Sequence, residues 1–171
     1  YERDDKSVET VTKFNFDDDN GSVPAHKHNG VGWVSDSASV DESVYVGSNA
    51  VVFGDAMVSG GAKIYQNAKV YEDAVVTENT VVSGYAAVYG DAVVSGNAEV
   101  TENVRVSGDA VVFGDAVISG NAEVTENAKV YGKALVYGDA LVFGDAKVCG
   151  DAKVCGDARV SGNDLVYGEV E

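Results

Sequence analysis

The chain has 171 residues, 45% of them apolar, with 20 glycines, one proline and a formal net charge of −16. That apolar content supports a packed core and excludes an acidic disordered tail, and the charge excludes nucleic-acid or anionic-lipid binding through a basic patch. No apolar run reaches bilayer length and no signal peptide opens the chain. Its only cysteines, Cys149 and Cys155, are too few for a disulfide scaffold and read as reduced thiols of a cytoplasmic protein.

Residues 1–33 follow no repeat and read as an amino-terminal capping segment. Phe14, Phe16 and Trp33 are the side chains expected to cover the open end of whatever they precede. His26 and His28 alternate onto one side of an extended stretch, downstream of Asp17, Asp18 and Asp19. Those residue types suit a metal, but a surface loop is the simpler reading, and no metal or cofactor is assigned.

From residue 34 to 171 the chain changes character. Counting in sixes from Val34 meets valine or isoleucine at all 23 steps through Val166, and four residues after each comes alanine in 18 cases. The exceptions at that second position are Val44, Thr80, Val104, Asp164 and Val170. Between the two sit a residue that is usually glycine and one that is usually Asp or Asn. The unit is V-x-G-[DN]-A-x. A β-branched residue suits a short strand with its middle side chain turned inward. Glycine followed by Asp or Asn suits a tight corner, and only a small side chain fits inward beside it. Six residues are too few for a hairpin and have no helical period. Such units wind into a parallel β-helix whose valines stack about 4.8 Å apart. Val94 is therefore expected on Val112, and Val112 on Val130. Asp164 in an alanine slot marks the expected end of the regular stack.

In these residues, as in Val112–Ala116 and Ile118–Ala122, the chain resembles the left-handed β-helix (hexapeptide-repeat) superfamily over residues 34–171. "VYGDAVVSGNAEV" and the lead-in "HKHNGVGWV" look like the small stand-alone hexapeptide-repeat proteins of bacteria and phages. The resemblance implies an all-β, left-handed triangular prism with 18 residues per coil and seven to eight coils. Val34, Val40 and Val46 then begin its first, second and third sides. Acyltransferases of the superfamily carry a catalytic histidine on a loop that leaves the prism, and its carbonic anhydrases carry three metal-binding histidines. Here no insertion breaks the hexads and no histidine follows His28, so neither activity is expected. Thr77, Thr101 and Thr125 fall on three different sides, so a threonine ladder for ice is not expected either.

Two outward columns recur at 18-residue spacing. Met57, Val75, Val93 and Val111 form an apolar stripe on the second side, extended beside it by Phe113 and Tyr131; it reads either as an interface or as valines that simply favour strand backbone. Asp55, Asp73, Asp91, Asp109 and Asp145 line one corner. That ladder reads either as ordinary corner chemistry or as a row imitating DNA phosphates. A stretch at 89–103 recurs at 113–127, displaced by 24 residues and hence onto the next side, which favours length and shape over a pocket confined to one side. The expected function is a non-enzymatic binding or scaffold protein that presents acidic and apolar surfaces to a protein partner, with no cofactor, no direct nucleic-acid binding and no membrane. A phage-encoded chain acting on a host protein fits this. The alternatives are an acidic DNA mimic inhibiting a DNA-binding or defence enzyme, and an inactive relative or partner of hexapeptide acyltransferases. A homo-oligomer is expected, either side by side through the stripe or end-on through the last coil around Val154, Val160 and Val166.

Overall fold

The computed structural model describes residues 12–171, all strand, turn and extended chain with no helix among them. Three sheets stack along one axis, two of eight strands and one of ten. Almost every strand after residue 35 is only two residues long, the second being the inward Val or Ile of a hexad. Each pairs in parallel with the strand one coil further on. Val34 pairs with Val52, Val40 with Val58 and Val46 with Ile64, which sets 18 residues per coil and three sides. The protein is a three-sided parallel β-solenoid of about eight turns. Val94 pairs with Val112 and Val112 with Val130, and all three are fully buried, as the register requires.

The interior holds one valine and one alanine per hexad and little else. Val44 and Val104 fit the small slot with no exposure. Thr80 fits it too, because its Oγ1 donates to the carbonyl of Thr77 at 2.7 Å, which satisfies a hydroxyl that would otherwise be buried at a cost of about 1–3 kcal/mol. Among the described residues no buried side-chain nitrogen or oxygen lacks a partner.

Corners turn through residues with positive φ, mostly glycine. A Cβ added to Gly120, at φ +73°, would come within 2.7 Å of the Gly138 carbonyl oxygen one coil on. Five corners nonetheless place Gln66, Glu72, Glu78, Glu102 or Glu126 in the same left-handed conformation. Four of these side chains do something glycine cannot. Gln66 accepts the backbone N–H of Gly84, Glu72 that of Gly90, Glu102 that of Gly120 and Glu126 that of Gly144, at 2.6–2.8 Å. The bond ties each corner to the next and offsets the left-handed strain.

The two ends differ from expectation. A hairpin precedes the prism: β1 (Lys13–Asn15) pairs antiparallel with the first half of β2 (Ser22–Lys27), whose second half pairs antiparallel with β3 (Trp33–Ser35). The backbone of β2 thus covers the free edge of the first side. Phe14 stacks on Trp33 and Phe16 on Phe53, so these aromatics lie against outward-facing residues of that side rather than across the open coil. The third side is covered by residues 29–32, where Val46 donates to Asn29 and Gly32 donates to Val46. At the other end Asp164 does not stop the stack. The Asp164 carbonyl accepts from Lys147, its carboxylate takes the Ser161 N–H at 3.3 Å, and Val166 still pairs with Val148. The following corner is two residues short. Val170 pairs with Val154 at a spacing of 16 and takes an inward valine position, not the small slot the hexad count gives it.

Glu102→Ala is expected to lower unfolding stability by about 1 kcal/mol, the size of one exposed backbone–carboxylate bond. Glu102→Gln should lose less than half of that, since Gln66 makes the same contact. Denaturant unfolding of the two variants measures the difference, and equal losses would deny the bond a role.

Candidate binding surface: an apolar column and an acidic corner

The apolar stripe assembles in register. Met57 pairs with Val75, Val75 with Val93 and Val93 with Val111, each just before an inward valine. Met57 is 51% exposed and the three valines are partly exposed. The column does not stop there: below Val111 come Lys129, Lys147 and Leu165, and above Met57 comes Ser39. Phe113 and Tyr131 stand beside it, stacked at 4.8 Å and 3°, in the column that follows each inward valine. The two lysines continue the same 18-residue spacing and are legible in the sequence.

Asp55, Asp73, Asp91, Asp109 and Asp145 share the corner between the first and second sides, all exposed. None makes a side-chain hydrogen bond among the described residues. The other corners behave differently. Asn79 donates to Asn97 and Asn97 to Asp115, and on the third corner Asn103 donates to Asn121 and Asn121 to Asp139, at 2.7–3.2 Å. An amide both donates and accepts, so Asn columns link themselves along the axis; ionised carboxylates only accept, so an Asp column stays open to solvent. The 18-residue spacing could have shown this, since it separates a mostly-Asp corner from two that mix Asn with Asp. The acidic corner and the column just described border a shallow groove lined by Asp109, Val111, Lys129, Asp145, Lys147 and Leu165.

The remaining reactive side chains are committed locally. His26 Nδ1 lies 2.9 Å from Asp36 and His28 Nε2 lies 3.0 Å from the Asp41 carbonyl oxygen. Asp18 bonds Asn20, which holds its carboxyl below the usual range. The two imidazole rings lie 6.2 Å apart, but among the described residues no group of three metal-ligating donors includes either histidine or the Asp17–Asp19 run. Cys149 and Cys155 are free and buried. Hydrogen bonding to Cys149 raises the phenol of Tyr131 above its ordinary range, and bonding to Cys155 does the same for Tyr137. Cys155, Glu169 and Glu171 bring their donor atoms within 4.8 Å of one another, with both carboxylates exposed. Sequence reasoning also missed an aromatic ladder on the first side: Phe53, Tyr71 and Tyr89 stack at 4.9 Å, nearly parallel. Partial burial there pushes the Tyr71 phenol up. No helix among the described residues is long and apolar enough to cross a membrane.

Against known proteins, the family described as "YdcK Beta solenoid repeat" matches residues 104–120, about a tenth of the chain. No curated protein matches. Solved structures similar to this chain include a UDP-N-acetylglucosamine acyltransferase of Francisella novicida, 13% identical over 75% of this chain, with a TM-score of 0.38. This chain spans 66% of that one, just under two thirds. Another is the UDP-N-acetylglucosamine acyltransferase of Campylobacter jejuni, 12% identical over 73% of this chain and 68% of its own, with a TM-score of 0.46. The β-solenoid itself stands on the strand register, and the chain is similar to β-solenoid repeat proteins in that register and in its repeat.

The contrast between corners gives a stability test. Asp91→Asn supplies a donor to Asp109 and removes a like charge, and should stabilise the fold by about 0.5–1 kcal/mol. Asn97→Asp should destabilise it by a similar amount. Thermal unfolding of both variants decides, and a destabilised Asp91→Asn would refute the account of the open acidic corner.

Proposed function

We propose that this chain is a non-catalytic scaffold that binds another protein through the second side of the solenoid and its acidic corner. The observation that carries the reading is the in-register column Met57–Val75–Val93–Val111, apolar, with Met57 exposed and the three valines half-buried on the sheet surface. Exposed valines favour strand backbone by themselves, but four apolar residues aligned on one face also make the contiguous patch that an interface uses. Support also comes from the uninterrupted hexads, which leave no excursion of the chain to build a catalytic cleft, and from the local commitments of His26 and His28. A phage-encoded chain acting on a host protein is a setting that suits a rigid rod with a binding face.

A DNA-mimicking inhibitor is the second reading, favoured by the exposed, unbonded carboxylates of Asp55, Asp73, Asp91 and Asp109. Charge density weighs against it. One carboxylate per coil is one charge per about 4.8 Å, against one per about 1.7 Å along duplex DNA.

Affinity capture with purified candidate partners at low and high salt separates the two. A protein partner held through the apolar column should survive high salt and be lost with Val93→Lys. A partner held by mimicry should be released by salt, weakened by Asp73→Asn with Asp91→Asn, and displaced by duplex DNA. Binding indifferent to all three substitutions would sink both readings. Incubation with coenzyme A thioesters and amine or hydroxyl acceptors should show no acyl transfer, and turnover that persists after His26→Ala with His28→Ala would reveal a catalytic site.

A further inference from the structure

The second side has a polarity along the prism axis. Its outward column reads Ser39, Met57, Val75, Val93, Val111, Lys129, Lys147, Leu165, each in register with the next. Around its first coils stand Asp41, Asp55 and Asp73, all exposed. Lys129 and Lys147 occupy its later coils, exposed and outside any ion pair among the described residues. The corner beside those lysines is thinner in charge, with Asn127 and Asn163 either side of Asp145. Exposed carboxylates thus flank the first five coils of this column (Asp41, Asp55, Asp73, Asp91 and Asp109), and the two lysines lie beyond them with Asp145 beside them, so the lysine end of one copy meets the carboxylates around the first coil of another only when the face is turned end for end.

We infer that the second side is a homodimer interface in which two copies of this chain pack antiparallel about a two-fold axis between Val75 and Val93. The inference rests on the reading of this face as a protein-binding surface and names its occupant. The axis sets Val75 against Val93 and Met57 against Val111, so the whole apolar column is covered by its own copy. Lys129 then falls opposite Ser39, between Asp41 and Asp55 of the other copy. The interface is isologous and closes on itself. A parallel two-fold would instead lay Met57, Val75 and Val93 over Ser59, Thr77 and Ser95, the outward residues that follow each inward valine, leaving three hydroxyls against apolar side chains, with only Val111 over an apolar partner, Phe113. It would also keep each lysine at the level of lysine. In the antiparallel pair the acidic corners run along the rim, where solvent and salt screen them.

Sedimentation equilibrium on the whole chain tests this, with circular dichroism confirming that each variant stays folded; all substituted residues are at least partly exposed. The unmodified protein should dimerise at micromolar concentration, and Lys129→Glu should raise the dissociation constant about tenfold or more. Adding Asp41→Lys and Asp55→Lys to Lys129→Glu in the same chain should restore it to within about threefold. That rescue is specific to the antiparallel pair. Within one chain, or between parallel chains, residues 129 and 39 are five coils apart, about 24 Å, beyond the screening length of about 10 Å. A protein that stays monomeric at high micromolar concentration overturns the inference, as does a dimer indifferent to Lys129→Glu or one the triple variant fails to restore. A monomer that still binds a different protein in a Val93-dependent manner overturns the homodimer and leaves the binding-surface reading intact. Loss of Val93 dependence in every assay removes that reading as well.

Discussion

Everything in this protein depends on the hydrogen-bonded ladder between successive coils. Strands of two residues have almost no stability of their own, and a six-residue unit buries only one valine and one alanine. What makes the unit viable is that its peptide groups pair with the coil before and the coil after, along three sides at once. Backbone groups left unpaired inside such a stack would each cost as much as a lost hydrogen bond. The strict spacing follows: one residue gained or lost would turn every later valine off its inward position. The single departure, the short corner before Val170, comes in the last coil, where no described coil follows to be misplaced.

The ladder also organises the surface. Because residues 18 apart are forced to be neighbours about 4.8 Å apart, any outward choice is repeated as a column, and its chemistry becomes collective. Asn columns link themselves, aromatic columns stack, and glutamates at left-handed corners reach the next coil's N–H. These are three solutions to one problem, that of making neighbouring coils hold each other at positions facing water. The Asp corner and the Met57–Val111 column solve nothing of the kind. Carboxylates in a row repel, and aligned valines stay partly wet. Those two columns lie side by side on the second side and the corner that precedes it.

From Val34 to Val166 the hexads run without an inserted loop. Fold alone does not carry activity. In this chain the histidines hold down the lead-in to the first coil, through Asp36 and the Asp41 carbonyl, and the cysteines fill outward slots under Tyr131 and Tyr137.

Sequence alone determined the solenoid, its 18-residue coil, the inward valines and the membership of each outward column, because the interior is too narrow to admit more than one arrangement of a six-residue repeat. It was less informative wherever the repeat lapses. That β2 closes the first side with its backbone, while Phe14 and Phe16 pack against Trp33 and Phe53, follows from a hairpin whose two halves pair with different strands, and no periodicity encodes that. Asp164 looked like a terminator because an inward carboxylate would be costly; the structure leaves it exposed, where it caps Ser161, and shortens the next corner so that Val170 reaches the core. Likewise nothing in the repeat itself gives a role to the glutamates that stand in glycine's place. Only the approach of the neighbouring coil, a tertiary distance, turned them into hydrogen-bond acceptors.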